Sequence, residues 1–546
     1  MILSAGPSLS ARGRLPAILI PLAFWAGGLS LAHGPMIASG LGRVQGDLGD
    51  PRLQHYMLEH GYRWMARDPV HSRFWDAPIF YPAPNASAYS DTLIGALPLY
   101  AIWRIAGVPA DIAFPLFILM ASSVNFGCAF LLLRSGLGCR RVPSGFGAFL
   151  FAFASARIAQ LGHPQLLPAF YGVLAVYALI RVLGTESIRP SLPWLTLWAV
   201  SLVGQTYSSF YLAWFLWIAL GLALFWAVAL PSLRPRTLAA LKRHGPGIAG
   251  AVAVAGLCMI PFLRHSLQAS STLGVREYDE IDLYLPRLQC WIQFGPEHWL
   301  YGWLSSARLF DQLPFRSTEN ALGLGFVTVA LSARGIWELR KTPFGSILLA
   351  VSLSLLLWTA RFPGGASAWS LAYLIVPGAQ AARVVTRVSQ LLLLPAAIGA
   401  AVWLDRSRWQ QPVLAVIVVL ALLEQGRRTP TYDRREARDS VAAIARRVDP
   451  SRAAFYYTSR RVPPNGGFVD SAPTRIHVDA MMASLEAGVP TINGYSGWNA
   501  PDWPFAAITI VPDERTSGTL VENALQAWCR RNGLDPARVQ WINGDS

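Results

Sequence analysis

The sequence predicts a polytopic α-helical membrane protein. Of its 546 residues, 53% are hydrophobic and 14% are charged, whereas a soluble domain has roughly 25% charged residues. The mean hydropathy is +0.36. Apolar runs of roughly 17–25 residues recur along the chain, and a helix of that length crosses the hydrocarbon core of a bilayer. Composition and spacing together indicate about 11 to 13 membrane spans, counted as helices of bilayer length.

The positions of arginine predict how these segments are oriented. The longer apolar segments are 16–39, 113–133, 143–160, 166–183, 193–207, 209–231, 246–263, 321–338, 344–360, 388–404 and 411–424. The basic loops between them are 134–141, 181–189, 233–244, 338–341 and 404–408. Such loops usually lie in the cytoplasm. The segment 92–107 is interrupted by Pro98 and Arg104. If it does not fully cross the membrane, all of the basic loops fall on the cytoplasmic side. If 92–107 does cross, a further crossing near 369–385 keeps the number of spans odd. In both cases the N-terminus is cytoplasmic and the C-terminal region is extracytoplasmic.

Charge and cysteine usage exclude several classes of protein. The net charge is +15, but most of the basic residues lie in short loops beside apolar segments, so nucleic-acid binding is not predicted. The five cysteines show no CxxC spacing, which gives no support to a zinc site or a disulfide framework. Arg12 and Arg14 precede an apolar run that continues through Ile37, which predicts an uncleaved first helix.

Polarity divides the chain into two predicted domains. Residues 1–424 form the membrane domain, with large outer loops at 40–91 and 264–319. Residues 425–546 are more polar and are predicted to form a small soluble α/β domain on the extracytoplasmic (periplasmic) side. Its predicted helices are 434–447, 478–487 and 518–531, and its predicted strands are 453–458, 490–493 and 538–542. This alternation of helices with short strands is typical of α/β structure.

The first outer loop opens with two carboxylates in the stretch "RVQGDLGDPRLQHYMLEHGY" (43–62). Asp50 before Pro51 matches a helix N-cap, whereas Asp47 has no such structural explanation. The glycines at 46 and 49 permit tight turns and the close approach of a ligand. The following segment, 51–68, is amphipathic and is predicted to lie on the membrane surface.

This arrangement resembles the GT-C class of membrane glycosyltransferases. The shared features are a long first helix, an outer loop with aspartate near its start, an amphipathic helix, many spans and an extracytoplasmic C-terminal domain. Segments 80–91, 156–167, 205–211, 381–390 and 489–503 resemble a poorly characterised bacterial subgroup, although the "DE" and "WWDYG" signatures of the best-known branches are missing. The resemblance implies a polyprenyl-phosphate sugar donor. It also implies that Asp47, or else Asp50, acts at the reacting centre, where the pair could hold a divalent cation such as Mg²⁺ or Mn²⁺.

Other polar residues at predicted outer helix ends complete the candidate site. Arginine binds phosphate oxygens through its planar fork, so the candidate donor and phosphate contacts are Arg383, Arg387, Arg157 and His163. The candidate substrate contacts are Asp91, Tyr207, Tyr495 and Trp498. Each has a structural alternative, because arginine at a helix end commonly reaches headgroups, tyrosine and serine can interrupt a helical hairpin, and aromatic turns can simply pack. The charged run 276–282 is interpreted as a solvated face or as a cover of the site.

The resemblance to the GT-C class, together with the polar residues at the outer helix ends, implies a hexosyl or pentosyl transferase of the bacterial inner (plasma) membrane. That the transfer inverts the configuration is implied by the resemblance alone. Its predicted partners are membrane lipids, a polyprenyl-phosphate sugar, and a glycan, lipid or protein acceptor of the cell envelope. Two alternatives remain: a transporter or flippase of a lipid-linked or small polar substrate, and a non-enzymatic envelope assembly protein. The GxxxxGK[ST], GxSxG and HExxH motifs are missing from the chain, which argues against an ATPase, a serine hydrolase and a zinc hydrolase.

Overall fold

The fold is taken from a computed structural model that describes residues 11–315, 318–459, 472–508 and 514–544. Helices occupy every one of the longer apolar segments. The first ten helices are α1 (Ala11–Ala38), α2 (Asp50–Met65), α3 (Leu97–Ile105), α4 (Ala110–Leu131), α5 (Arg141–Phe153), α6 (Ser155–Ile158), α7 (Phe170–Leu183), α8 (Ile188–Ser208), α9 (Phe210–Ala229) and α10 (Arg234–Leu273). The remaining helices are α11 (Tyr278–Leu283), α12 (Phe326–Leu339), α13 (Pro343–Thr359), α14 (Trp369–Ile375), α15 (Val388–Arg406), α16 (Gln411–Leu423), α17 (Arg434–Ala445), α18 (Ala472–Ala487), α19 (Phe505–Ile508) and α20 (Glu514–Arg531).

Several of these helices have the length and composition of membrane spans. Six helical segments among the described residues meet both criteria: Ile18–Ala38, Ala110–Gly136, Pro164–Leu183, Phe210–Ala229, Arg234–Leu273 and Val385–Arg406. Pro343–Thr359 and Gln411–Leu423 are shorter apolar helices. The chain is therefore a multi-pass membrane protein.

The segments 92–107 and 369–385, for which the sequence left open whether they cross the membrane, form only short helices. α3 has nine residues and α14 has seven, so at 1.5 Å per residue neither exceeds about 14 Å. A bilayer core is about 30 Å thick. Neither helix is long enough to cross, which favours the smaller span count, although the count itself stays a prediction.

The packing of α2 differs from the expected surface helix. Residues 51–61 are buried without interruption, so this helix does not expose one polar face to water. Its polar side chains are paired inside the protein: Arg52 forms an ion pair with Asp479 of α18, and Glu59 forms one with Arg104 of α3. The amphipathic pattern correctly indicated a helix, but the C-terminal region covers the face that was expected to be solvated.

The described residues contain four short strands in two pairs, of which the first pair joins the first outer loop to the C-terminal region. β1 (Arg43–Gln45) pairs antiparallel with β2 (Thr431–Asp433), and β3 (Ala454–Thr458) pairs parallel with β4 (Val539–Asn543). Thr491 adds a bridge beside Phe455. The strands predicted in the C-terminal region coincide with these positions, and α17, α18 and α20 coincide with the predicted helices. The division of the chain at residue 424 stays a prediction.

Candidate active site

The start of α2 places Asp50 at the centre of a polar cluster. Gly49 occupies the N-cap position and Asp50 is the first helical residue, so its side chain is available to other elements rather than to the helix terminus. The hydroxyl of Tyr495 donates a hydrogen bond to Asp50 Oδ1 over 2.6 Å. His163 Nδ1 lies 2.9 Å from Asp50 Oδ2. Both carboxylate oxygens of Asp50 therefore face donors from distant parts of the chain.

His163 links Asp50 to a second carboxylate. Its Nε2 atom lies 3.0 Å from Glu319 Oε1, and Arg387 Nη2 lies 3.5 Å from the same oxygen. We call Asp50, His163, Glu319, Arg387 and Tyr495 the carboxylate cluster. Its members come from five separate stretches of sequence, which the fold brings to one end of α2 and α15.

Mutual ion pairing fixes the charges of this cluster. Burial disfavours the ionised carboxyl of Asp50, but the His163 contact and the Tyr495 hydrogen bond outweigh it and lower the pKa to about 2. Burial also opposes ionisation of Glu319, yet Arg387 and His163 lower its pKa to about 2. For His163, burial and Arg387 disfavour the proton, but the two carboxylates raise the pKa to about 9. At neutral pH the cluster thus contains two carboxylates, one imidazolium and one guanidinium.

Some buried polar atoms at this site lack protein partners. Among the residues that the structure describes, Glu319 Oε2, Arg387 Nε and Thr386 Oγ1 are buried without a hydrogen bond. The Arg387 side chain is only 7% exposed, and its guanidinium lies 4.5 Å from the centre of the Tyr211 ring. Buried polar groups normally find a partner. Several unsatisfied atoms around one arginine therefore indicate a place for a polar ligand or solvent.

A second group of charged residues lies beside the cluster. Arg276 Nη1 and Arg383 Nη1 are each 3.2 Å from Glu280 Oε1. The Arg276 guanidinium stacks on Trp498 at 3.6 Å from the ring centre. A cavity of about 510 Å³ opens here, and its lining includes Thr272, Leu273, Arg276, Trp498 and Asn499. In the charged run 276–282, Arg276, Glu280 and Asp282 are therefore paired within the protein, whereas Glu277 and Asp279 are exposed.

The spacing of four residues between Arg383 and Arg387 suggests one helical face, but the structure does not place them on a common helix. Arg383 lies in a loop, and Arg387 ends a 3₁₀ turn that directly precedes α15. The loop geometry directs Arg383 to Glu280 and Arg387 to Glu319. The two guanidinium groups therefore serve adjacent parts of the site.

Asp47 lies close to the cluster but in a different setting. It is half-buried, and its Oδ1 atom accepts a hydrogen bond from the Gly49 N–H over 2.8 Å. Burial, then Asp50 and then Asp47 raise the pKa of Tyr495 above its ordinary value. Both aspartates of the first loop thus act on the same tyrosine.

The remaining candidates have mainly internal partners. Asp91 accepts a hydrogen bond from the Phe210 N–H at the start of α9 over 2.6 Å, and burial raises its pKa to about 6 against the opposing effects of that bond and of Arg387. The Tyr207 hydroxyl donates to the carbonyl of Cys258, and Arg157 Nε donates to the carbonyl of Phe151. The roles of all these candidates stay predictions.

The aspartate pair in this arrangement does not fit a divalent cation. Both oxygens of Asp50 already face donors, and Asp47 Oδ1 accepts a backbone N–H. Mg²⁺ and Mn²⁺ require several oxygen ligands. Within the described residues, no group of three or more His, Cys, Asp or Glu side chains is arranged to hold a metal.

Three residues of the site are not among the candidates that the sequence predicts. Glu319 lies in a short 3₁₀ turn, Thr318–Asn320, and no local pattern distinguishes it from an ordinary loop residue. Tyr211, which packs on Arg387, belongs to an apolar helix. Glu280 was part of the charged run. Only the tertiary fold reveals these three.

Comparison with solved structures identifies the architecture. No protein-family model matches the sequence, and the comparison with curated proteins also finds no match. The archaeal oligosaccharyltransferase AglB from Archaeoglobus fulgidus, in complex with an inhibitory peptide and a dolichol-phosphate, superposes with a TM-score of 0.52 at 12% identity, over 96% of this chain and 69% of that one. The chain has the GT-C fold.

Two further structures give the extent of the likeness. An Archaeoglobus fulgidus oligosaccharyltransferase tethered to an acceptor peptide by a disulfide bond gives a TM-score of 0.50 at 11% identity, over 95% of this chain and 68% of that one. The arabinofuranosyltransferase AftD from Mycobacteria gives 0.48 at 16% identity, over 90% of this chain. This chain spans 32% of the length of AftD.

Proposed function

We propose that this protein is a membrane glycosyltransferase. It transfers a hexosyl or pentosyl group from a polyprenyl-phosphate donor to a cell-envelope acceptor on the outer face of a bacterial inner membrane. The observation that carries this proposal is the carboxylate cluster, which sits at the end of the helices of a GT-C fold and retains unsatisfied buried polar atoms. The fold supplies the class of enzyme, and the cluster supplies groups suited to the chemistry.

The two aspartates have different roles in the proposed reaction. The acceptor hydroxyl attacks the anomeric carbon on the face opposite the phosphate, so that one C–O bond forms as the other breaks. Asp47 takes the hydroxyl proton, because its half-buried carboxylate is accessible and ionised carboxylates are competent bases. Asp50, held anionic by His163 and Tyr495, stabilises the positive charge that develops at the sugar ring.

The departing polyprenyl phosphate requires cationic groups. Arg387 presents a buried Nε–H that has no partner among the described residues, and a guanidinium can donate two parallel hydrogen bonds to phosphate. Arg383 extends the positive charge towards the surface, where it shares Glu280 with Arg276. We assign these two arginines to the donor. His163 positions Asp50 and Glu319 around Arg387 rather than binding phosphate itself.

The cavity beside Trp498 is the proposed entry for the acceptor. It is bordered by Arg276 and by the loop that also carries Tyr495. Ligand pockets combine aromatic walls with a few oriented polar groups. Asp91, which anchors the start of α9, and Tyr207, which joins α8 to α10, support the walls of the site. The proposed step uses no metal ion.

Profiles of membrane glycans and lipid-linked sugars test this proposal. Cells that produce the intact protein are compared with cells that produce Asp47→Asn or Asp50→Asn at equal protein levels. The matched control is Asp405→Asn, because Asp405 pairs with Arg140 over 3.0 Å outside the cluster. We expect the glycan product to disappear and the lipid-linked sugar to accumulate only in the two cluster variants. Unchanged profiles in both variants would overturn the proposal.

A further inference from the structure

An apolar surface lies on the loop between α11 and α12. We call residues 288–309 the aromatic loop. It is built from short 3₁₀ turns and contains six exposed large apolar side chains: Leu288, Ile292, Trp299, Leu300, Trp303 and Leu309. Trp303 is 73% exposed and Trp299 is 54% exposed. Water-exposed loops rarely gather so many large apolar groups.

The aromatic loop is fixed to the ends of two apolar helices. The Tyr301 hydroxyl donates to Glu424 over 2.7 Å, and Glu424 also accepts the backbone N–H groups of Val327 and Thr328 at the start of α12. The backbone N–H of Trp299 donates to the carbonyl of Gly426, three residues after the end of α16. These contacts hold the exposed side chains at a defined height relative to α12 and α16.

The exposed surface continues onto those helices. α16 exposes Val416, Val419, Leu420 and Leu423, and the first turn of α12 exposes Phe326 and Val329. α16 contains no charged residue, so its exposed side chains face lipid. The aromatic loop begins where this lipid-facing surface ends, at the depth where tryptophan is enriched in membrane proteins.

We propose that the aromatic loop inserts into the membrane interface on the side of the candidate active site. The occupant of this surface is the lipid bilayer itself. Trp303 satisfies its own Nε1–H through the carbonyl of Leu300, which leaves its apolar ring for the acyl region. Arg308 and Arg428 are exposed nearby and match the negative charge of lipid phosphates.

This insertion would fix the depth of the carboxylate cluster. The stretch that carries Glu319 is tied to the aromatic loop, because the N–H of Leu322 donates to the carbonyl of Cys290 and the N–H of Gly323 donates to that of Gln293. A loop anchored among headgroups would therefore hold Glu319 near the level of lipid phosphates. The inference concerns membrane contact and holds even if the proposed reaction fails.

Site-specific fluorescence quenching tests the insertion. Trp303→Cys is introduced after Cys258→Ser and Cys128→Ala, since the other three cysteines are buried. The introduced thiol is labelled with a polarity-sensitive fluorophore, and the full chain is placed in nanodiscs of phosphatidylethanolamine and phosphatidylglycerol. A second variant, Leu309→Cys, keeps both tryptophans. The control is Trp541→Cys on β4, where Trp541 is 37% exposed.

Two quenchers distinguish the outcomes. We expect nitroxide attached near the lipid headgroups to remove most of the fluorescence at 303 and 309, whereas aqueous iodide removes little. The label at 541 should show the reverse. Quenching by iodide alone at 303 and 309 would overturn the proposal. Protection from both quenchers, which would mean that a second protein copy covers the loop, would also overturn it.

Discussion

Helix α2 carries two carboxylates, Asp50 and Glu59, whose surroundings differ in one instructive respect. Glu59 is fully buried and accepts four donors: Arg63 and Arg104 at Oε1 over 3.0 and 3.2 Å, and Tyr100 and Arg104 at Oε2 over 2.7 and 2.9 Å. Its network is complete. The network around Asp50 continues through His163 to Glu319 and Arg387, where buried polar atoms lack partners.

This difference is the one we expect between a structural cluster and a binding site. A fully satisfied buried network specifies one packing arrangement and has no remaining capacity for a ligand. An incomplete network leaves desolvated groups that a substrate can satisfy. Charge alone would not distinguish Asp50 from Glu59. The side chain of Asp50 is 26% exposed and that of Glu59 is 0% exposed, and the unsatisfied atoms of Glu319 and Arg387 belong to the network of Asp50.

The largest expected effect is the loss of turnover when a carboxylate of the site is neutralised. Asp47→Asn and Asp50→Asn should each reduce the transfer rate about 10²–10⁴-fold, the range for losing a positioned acid–base group. Glu59→Gln should retain the rate per folded molecule. Rates are measured by release of polyprenyl phosphate in reconstituted vesicles. Equal losses in all three variants would remove the proposed distinction between the clusters.

A slightly smaller effect is expected for the arginine partners. Arg387→Lys keeps a positive charge but loses the planar fork, so transfer should fall about 10²–10³-fold, as for removal of one preorganised donor. Arg104→Lys, the matched change beside Glu59, should leave transfer largely intact. Saturation curves for the lipid donor provide the measurement. An Arg387→Lys enzyme with normal kinetics would contradict the phosphate assignment.

For protein stability, in contrast to transfer rate, we expect the larger loss at Glu59 and the smaller loss at Asp50. Among the described residues, Glu59→Gln leaves Arg104 without an acidic partner and leaves Arg63 with Asp68 alone, at 3.5 Å. The change should lower the free energy of unfolding by about 1–3 kcal/mol, the cost of an unsatisfied buried group. Asp50→Asn should cost less, because its network already contains unsatisfied atoms. Thermal unfolding in detergent compares the two variants. A greater loss for Asp50→Asn would make the carboxylate cluster structural.

The smallest expected effect is a pH dependence specific to the carboxylate cluster. Its two carboxylates raise the pKa of His163 to about 9 in the folded protein, whereas an unperturbed histidine titrates near 6.5. The imidazolium therefore contributes its full stability below about pH 6.5, and this contribution is lost as the pH rises through about 9. Unfolding temperatures between pH 6 and 10 should fall less steeply in His163→Gln. Identical slopes would contradict the ion-paired state.

The fold was largely predictable because bilayer thickness constrains sequence directly. Each long apolar run became a helix, since lipid leaves the backbone few other ways to satisfy its hydrogen bonds. The predicted limits failed at α10, where 246–263 extends to Arg234–Leu273. The basic stretch 233–244 was expected to form a loop. Periodicity detects an apolar core segment, but it does not show where a helix continues into water.

Residues of the candidate site could be predicted only where a local sequence pattern distinguished them. Asp47 and Asp50 stood out beside glycines in the first loop, and His163 and Arg387 stood out as charges at helix ends. Glu319 had no such mark, and its role depends on a contact with His163 across 156 positions. The burial of α2 was missed for the same reason, because Asp479 lies 427 positions from Arg52. Such pairings are set by tertiary structure.

The pairing of β1 with β2 has a consequence for how the chain could be divided. The Gly46 N–H donates to the carbonyl of Pro430 over 2.9 Å, and Arg43 is opposite Asp433. The backbone that leads to Asp47 is thus aligned by residues that follow the last apolar helix. A polypeptide truncated before Thr431 would keep its hydrophobic helices but would lose β2, the strand that pairs with β1 in the first outer loop. Catalytic competence would then depend on complementation by the missing fragment.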